Sequence, residues 1–182
     1  SPECSLAELD KDCDGHEDCY QLLWMNGWTV PEYLTNPISV GNTSASRHKV
    51  AIDNNGNAIV VWEQFDGTTA QIFKSEYRGG SWTHPASLSD KISVGGTFAY
   101  APQVAMDDIG NAIIVWQQYV GINQQIFKIE YRFDGNSWNW THPTSLADNI
   151  NVAGEGDQEH AVVPQVAMDN NGNAIIIWQQ WD

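Results

Sequence analysis

The sequence predicts an all-β protein built from repeated, antiparallel four-stranded sheets. Three observations support this: one phrase occurs three times, each copy has turn residues at its centre, and two further strand patterns recur at a similar spacing. The phrase is KVAIDNNGNAIVVWEQ at residues 49–64, QVAMDDIGNAIIVWQQ at 103–118 and QVAMDNNGNAIIIWQQ at 165–180. Periods of this length are typical of stacked units that cannot bury their faces alone.

Each copy of the phrase predicts two strands, A and B, joined by a tight turn. In the first copy, Val50, Ala51 and Ile52 form a short apolar strand A, and residues 53–57 (DNNGN) supply the turn. An aspartate that caps its own turn and a glycine free to adopt positive φ favour a hairpin loop. Strand B, residues 58–62, is apolar on both faces and is therefore expected to be covered on both faces.

Two further patterns complete the unit as strands C and D. Residues 71–78 (QIFKSEYR) recur at 125–132, and their alternation of uncharged and charged side chains predicts a half-buried strand C. The phrase SWTHP at 81–85 recurs around Trp140 after a four-residue insertion, and its proline suits an outer edge strand D. Four strands in about 55 residues is a size typical of one β-propeller blade.

The units follow a permuted order along the chain. Residues 27–53 align with 81–107 without a gap, so a strand D comes first, preceded by a loosely matching strand C. The last copy supplies strands A and B only. The predicted order is C-D, two complete A-B-C-D blades, and A-B, which is about three blades. The predicted bounds are a leader at 1–18 and a β-propeller-repeat domain at 19–182, with blades at 49–90 and 103–148 and half blades at 19–35 and 165–182.

Composition and charge narrow the classes of partner and compartment. The 182 residues are 42% hydrophobic, enough for a substantial core, and no apolar run approaches membrane-spanning length. A formal net charge of −15 disfavours nucleic acid and anionic membrane surfaces. The first residue is Ser1 rather than methionine, so we expect that a signal peptide or a longer N-terminus has been removed.

The cysteines indicate an oxidising compartment. Cys4, Cys13 and Cys19 all lie in the first 19 residues, which predicts one local disulfide and one remaining thiol, with the pairing left open. An extracellular or cell-surface location is therefore expected.

The acidic leader contains a candidate calcium loop, DKDCDGHED at 10–18. Carboxylates that alternate before a glycine are how a short loop wraps Ca²⁺ with hard oxygen ligands. The stretch resembles the DxDxDGxxD loops of thrombospondin type 3 repeats and other EF-hand-like secreted calcium modules. Gln21 stands where such loops place a last glutamate or aspartate, so a millimolar site is expected. The alternative is a solvated acidic segment without bound metal. The candidate ligands are Asp10, Asp12, Asp14, the backbone carbonyl of His16, Asp18 and Gln21.

The repeat itself resembles a known group of proteins. The phrases VAxDxxGNAxxxW and SWTxPxxLS resemble the degenerate repeats of secreted bacterial β-propellers, a group that includes Asp-box and tectonin-like lectin propellers. The resemblance covers nearly all of the chain from Trp28 onward and implies propeller architecture. It implies no single activity, and the Asp-box SxDxGxTW itself is absent from this sequence.

The repeat argues against an enzyme. Chemistry needs one asymmetric site, whereas the charged residues of strand C are copied from unit to unit: Glu76 matches Glu130, and Arg78 matches Arg132. Residues copied in this way are expected to serve packing or hydrogen bonding. A glycosidase or sialidase is therefore the least favoured class.

Two non-enzymatic functions stay open. Glycan binding would use aromatic residues off the repeat pattern, for which Trp138, Asn139 and Trp140 are the candidates. Self-assembly or adhesion at a surface would use unpaired strand edges, because three blades are too few to close a propeller and bare edges are seldom tolerated. Its candidate edge is Ala174, Ile176 and Trp178, expected to pair with residues 19–25 of a second copy. A chain that is part of a longer protein is the alternative explanation of the half blades.

Overall fold

The structure, a computed structural model, describes residues 37–151 and 160–181. All of the features below lie in one compact unit, Ile38–Asp182. Within the described ranges the regular structure consists of ten strands and no helix. The strands are β1 (Ala45–Ile52), β2 (Ala58–Phe65), β3 (Ala70–Arg78), β4 (Ser81–Thr83), β5 (Ala99–Met106), β6 (Ala112–Val120), β7 (Asn123–Phe133), β8 (Trp138–Thr141), β9 (His160–Met168) and β10 (Ala174–Trp181).

The strands form three antiparallel sheets that follow the chain. The first sheet has the order β1-β2-β3-β4, the second β5-β6-β7-β8, and the third is the pair β9-β10. Neighbouring strands are joined by hairpins in chain order, so the predicted strands A to D are adjacent in each of the first two sheets. This confirms the predicted all-β class and the antiparallel four-stranded sheets.

The turn between strands A and B is built by one aspartate. Asp53 Oδ1 accepts hydrogen bonds from the backbone N–H groups of Asn55 and Asn57, both at 2.8 Å, and Oδ2 accepts from the Asn57 side chain at 2.7 Å. Gly56 adopts a φ of 80°, which disfavours other residues there. Asp107 and Asp169 make the same set of contacts in the other two copies.

Each strand A carries a β-bulge at the same repeat position. Arg47, Ala101 and Val163 all have φ near 50° there, and the register of pairing shifts at each of them. A bulge increases the local twist of a strand. In the third sheet it also frees the Val163 N–H, which donates to Gln117 Oε1 of the second sheet at 2.7 Å.

The core lies between consecutive sheets. We call the face of a sheet that points toward the next sheet its front face, and the opposite face its back face. On the front face of the first sheet, Ile59, Val61 and Ile72 are fully buried. They pack against residues of the second sheet's back face, namely Ala112, Ile114, Trp116, Phe127 and Ile129.

The second and third sheets meet in the same way. Ile113, Val115 and Ile126 are buried on the front face of the second sheet, and β9 contacts β5, β6 and β7. The prediction that strand B is covered on both faces is therefore confirmed for β6.

The loop before β1 makes the same contacts as the loop that ends the first unit. The Gln64 side chain donates to the Val40 carbonyl and to Thr43 Oγ1. One unit later, Gln118 donates in the same way to Val94 and Thr97. These matched contacts are what the gap-free alignment of 27–53 with 81–107 requires, although the predicted half blade at 19–35 lies outside the described residues.

We predict that Trp116→Ala costs about 3–5 kcal/mol of unfolding free energy, because it empties a fully buried site. The Trp116 ring stacks on Phe127 with centroids 5.9 Å apart. Trp178→Ala is the matched control, because Trp178 occupies the same repeat position but is only half-buried. Urea unfolding followed by circular dichroism at low protein concentration measures both losses. Equal losses would contradict the assignment of Trp116 to the core.

Candidate functional site

Among the described residues, the third sheet has two strands, half the number in each of the other two sheets. In the first two sheets strand B is paired on both edges, by strands A and C. In the part of the chain that the structure describes, β10 pairs with β9 alone. The other edge of β10, where strand C lies in the first two sheets, has no strand partner among the described residues.

The front face of the third sheet is exposed. Ile175 and Ile177 are 71% and 61% accessible, whereas their repeat equivalents Ile113 and Val115 are 2% and 0% accessible. The difference arises because a further sheet covers the second sheet, and no described residue covers the third. Ile175 and Ile177 therefore form an exposed apolar patch on this face.

The predicted edge residues lie on the back side of the same strand. Ala174, Ile176 and Trp178 are each half-buried. Trp178 Nε1 donates to Gln180 Oε1 at 3.0 Å, as Trp116 does to its own glutamine. Trp116 also stacks on Phe127 of strand C, a partner that no described residue supplies to Trp178.

The back face of the first sheet is exposed at its β1 side. Val50 and Ile52 are exposed, whereas their equivalents Val104 and Met106 pack against the front face of the preceding sheet. The two ends of the array therefore expose the same two kinds of face that meet in its interior. Exposure does not extend over the whole back face, because Trp62, nearer the middle of the sheet, is buried.

A row of charges runs along the front face of strand C. In β3 this charged ladder is Lys74, Glu76 and Arg78, in which Glu76 is paired with Lys74 and, at 3.0 Å, with Arg78 Nε. Lys128, Glu130 and Arg132 form the equivalent ladder in β7. The sequence alternation predicted a half-buried strand C, with this charged side as its less covered face.

The first charged ladder is instead covered by the second sheet. Trp140 Nε1 donates to Glu76 Oε1 at 2.8 Å, and its ring lies 4.7 Å from Lys74 Nζ. Arg78 lies 4.0 Å from the Tyr131 ring centroid. Burial raises the pKa of Glu76, but Lys74, Arg78 and Trp140 outweigh it, and that pKa lies below its usual range. The aromatic residues provide the apolar cover and the ladder provides their polar partners.

A second polar contact crosses the same boundary at the turn. Arg78 donates to the Gly110 carbonyl at 3.4 Å, and Arg132 Nη1 donates to the Gly172 carbonyl at 2.8 Å. At Gly172 the φ is 80°, and a side chain would approach Arg132 to 3.0 Å. A glycine is thus favoured at this turn position for two reasons: the positive φ suits glycine, and a larger side chain would crowd the Arg132 guanidinium.

The second charged ladder borders an open cavity of about 320 Å³. Residues of β7, β8 and the following loop line it, among them Lys128, Glu130, Thr141 and Ile150. The Glu130 side chain is 25% accessible, compared with 13% for Glu76. Burial raises the pKa of Glu130 while Lys128 and Arg132 lower it, and the net direction is downward.

The residues considered for glycan binding have different surroundings. Trp138 is exposed and stacks on Tyr131, with centroids 5.3 Å apart. The Asn139 side chain donates to Asp134 Oδ2 at 3.0 Å within its own hairpin. Trp140 lies in the contact with the first charged ladder. Trp138 is therefore the member of this group with an open ring face.

The predicted calcium ligands lie outside the described residues, as do the three cysteines. They are Asp10, Asp12, Asp14, His16, Asp18 and Gln21. Within 37–151 and 160–181, no three His, Cys, Asp or Glu side chains are grouped closely enough to hold a metal ion. The same ranges contain no helix long and apolar enough to cross a membrane.

Comparison with solved structures finds distant structural likenesses. No protein family and no curated protein matches the sequence. An endo-arabinase from Bacteroides thetaiotaomicron aligns with 80% of this chain and 54% of its own, at 14% identity and a TM-score of 0.42. This chain thus spans about half of that structure. A likeness at this level carries no conclusion about activity.

We predict that Glu76→Gln destabilises the fold at neutral pH and that the loss disappears in acid. The pKa of Glu76 is lowered on folding, so its contribution is present above the ordinary glutamate pKa of about 4.3 and is lost as the pH falls through the lower folded value. The charged groups that act on it are Lys74 and Arg78 of the same ladder. His142 lies close enough for Glu76 to raise its pKa, although burial and Lys74 lower that pKa overall.

Urea unfolding at pH 7, 5 and 3 measures the difference between wild type and variant. Glu130→Gln, at the matching but more open position, is the control and should lose less unfolding free energy when measured at low protein concentration. If Glu76→Gln lowers the free energy of unfolding by the same amount at pH 7 and at pH 3, the prediction is wrong.

Proposed function

We propose that this chain is a non-enzymatic β-propeller-repeat module that assembles with copies of itself outside the cell or at its surface. The observation that supports this best is the pair of complementary apolar faces at the two ends of the array. Ile175 and Ile177 are exposed on the front face of the third sheet, and Val50 and Ile52 on the back face of the first. The same two kinds of face pack against each other twice inside the chain, so the end of a second copy could pack on either end in the same way.

The number of units favours two copies. Closed propellers usually have four to eight blades, and the chain supplies about three. A three-unit ring would require each unit to turn through about 120°, outside that usual range. Two copies related by a two-fold axis would close a six-bladed ring, and a rotation that does not close would give a fibre. In either assembly β10 would pair with residues 19–25 of the neighbouring copy.

The charged residues support a non-enzymatic role. Glu76 and Arg78 are engaged in contacts between sheets, as their duplication in the sequence suggested. Glu63, which replaces a glutamine of the other copies, is paired with Arg47 at 2.7 Å. These side chains are accounted for by packing and ion pairing.

A calcium site in the leader is part of the proposal. The alternating aspartates at 10–18 would hold one Ca²⁺ with the His16 carbonyl, at the millimolar affinity of extracellular modules. Its role would be structural.

Glycan binding is a second candidate, favoured by the open ring face of Trp138. Exposed aromatic rings stack on sugars, and Phe133 beside Trp138 is exposed as well. On a glycan array, we expect any specific hit to be lost in Trp138→Ala. A hit that survives in Trp138→Ala, or a blank array for the wild type, would remove this candidate.

We predict that Ile176→Pro abolishes self-association while the first two sheets stay folded. Proline removes a backbone donor from the proposed joining strand and is poorly tolerated inside a sheet. Light scattering over a range of concentrations gives the molar mass, and circular dichroism reports the remaining sheets. Ile122→Ser, an exposed isoleucine in the β6–β7 turn, is the control. A wild type that is monomeric at every concentration, or a variant that associates normally, would contradict the proposal.

We predict that calcium added to chelator-treated protein releases or absorbs heat at millimolar concentration, and that Asp12→Ala reduces this binding. Asp12 is the central carboxylate of the predicted loop, so its loss removes a direct ligand. Isothermal calorimetry measures the effect, with Asp90→Ala in the β4–β5 loop as the control. Absence of heat in the wild type, or equal binding by Asp12→Ala, would exclude the site.

A further inference from the structure

The contact between the first two sheets has a specific polar centre. The Trp140 indole lies over the Lys74 and Glu76 ladder, where it donates to Glu76 and faces the Lys74 ammonium. Ile92 belongs to the core cluster against which Trp140 packs. A half-buried indole N–H that donates to a carboxylate makes a charge-assisted hydrogen bond, and the ring face beside the ammonium adds a cation–π contact.

The second sheet presents the same binding surface, and no tryptophan of the described residues covers it. Lys128, Glu130 and Ile150 occupy the repeat positions of Lys74, Glu76 and Ile92, and all three line the 320 Å³ cavity. The loop that shapes it is held in the same way, since the Ile150 N–H donates to the Ile126 carbonyl at 2.8 Å. We call this cavity the indole pocket.

The sequence holds one further tryptophan of the type that fills this position. Trp28, in the phrase GWTVP, aligns without a gap with Trp82 in SWTHP, and Trp140 belongs to the matching phrase NWTHP. Trp28 precedes the first described unit, whereas the indole pocket belongs to the last complete one. In the sequence alignment Trp28 belongs to the predicted C-D half blade, and C and D are the two strands that no described residue supplies to the β9-β10 sheet.

We propose that the indole pocket binds Trp28 of a second copy of this chain, with the indole N–H donated to Glu130 and the ring beside Lys128. This inference rests on the self-assembly proposed above and names the residues that select the partner. The chemistry of the pocket fits an indole, because a carboxylate acceptor and a cation lie side by side above an apolar floor. A second copy is favoured over the same chain because closure within one chain would need a three-unit ring.

The position of Trp28 can be tested by photocrosslinking. A benzophenone amino acid replaces Trp28 in the full chain, and the protein is mixed with an equal amount of nitrogen-15-labelled wild type before irradiation. Crosslinks that join position 28 to residues 126–150 and carry both isotope labels are expected. Crosslinks within one chain only, or to a different surface, would overturn the proposal.

Association measurements separate this inference from the proposed function. Trp28→Ala and Glu130→Gln should each weaken self-association about tenfold or more, since the first removes the indole donor and ring and the second removes the negative charge of the acceptor. Trp138→Ala, an exposed tryptophan outside the pocket, should leave it unchanged. If the wild type associates and both pocket variants associate equally well, the indole pocket is refuted and self-assembly stands. If the wild type does not associate at any concentration, both fail.

Discussion

The structure depends on one constraint, which is that each sheet is apolar on both faces and needs a neighbour on each side. In the second sheet, Ile113 and Val115 are buried on the front face while Ile114 and Trp116 are buried on the back. Each buried side chain of this size contributes about 1.5–3 kcal/mol, against a typical net domain stability of about 5–15 kcal/mol. A face left open therefore forgoes a sizeable fraction of the stability available, which is why the exposed ends of the array matter energetically.

The polar contacts fix how the sheets meet. Apolar packing is not directional, so two such faces could slide over each other with little change in buried area. The hydrogen bonds from Trp140 to Glu76 and from Arg132 to the Gly172 carbonyl require one alignment of neighbouring sheets. The bulge adds a third fixed point where Val163 donates to Gln117. The apolar residues between two sheets thus provide most of the stabilisation, whereas the polar residues fix how the two sheets are aligned.

Most of the fold could be predicted from the sequence because its signals are local and repeated. The turn at residues 53–57, the two-faced strand B and the sheet order all follow from short patterns. The tryptophan that covers Lys74 and Glu76 could not be predicted, since charge alternation looks the same whether water or an indole 64 residues beyond Glu76 covers it. For the same reason the sequence alone does not locate the cavity beside Lys128 and Glu130. The signal that could have located it is that Lys74, Glu76 and Trp140 recur together in the repeat.

The directional order of the faces has a consequence for how such a protein can evolve. Every unit carries a front face and a back face that match those of its neighbours, so duplication or deletion of one whole unit leaves the remaining boundaries chemically unchanged. Changes inside a unit are restricted to places that no boundary uses. The four extra residues ahead of β8 are an example: they lengthen the β7–β8 hairpin through the added pair Phe133 and Trp138, while Trp140 still reaches Glu76. Copy number is therefore the property of this architecture that selection can alter most freely.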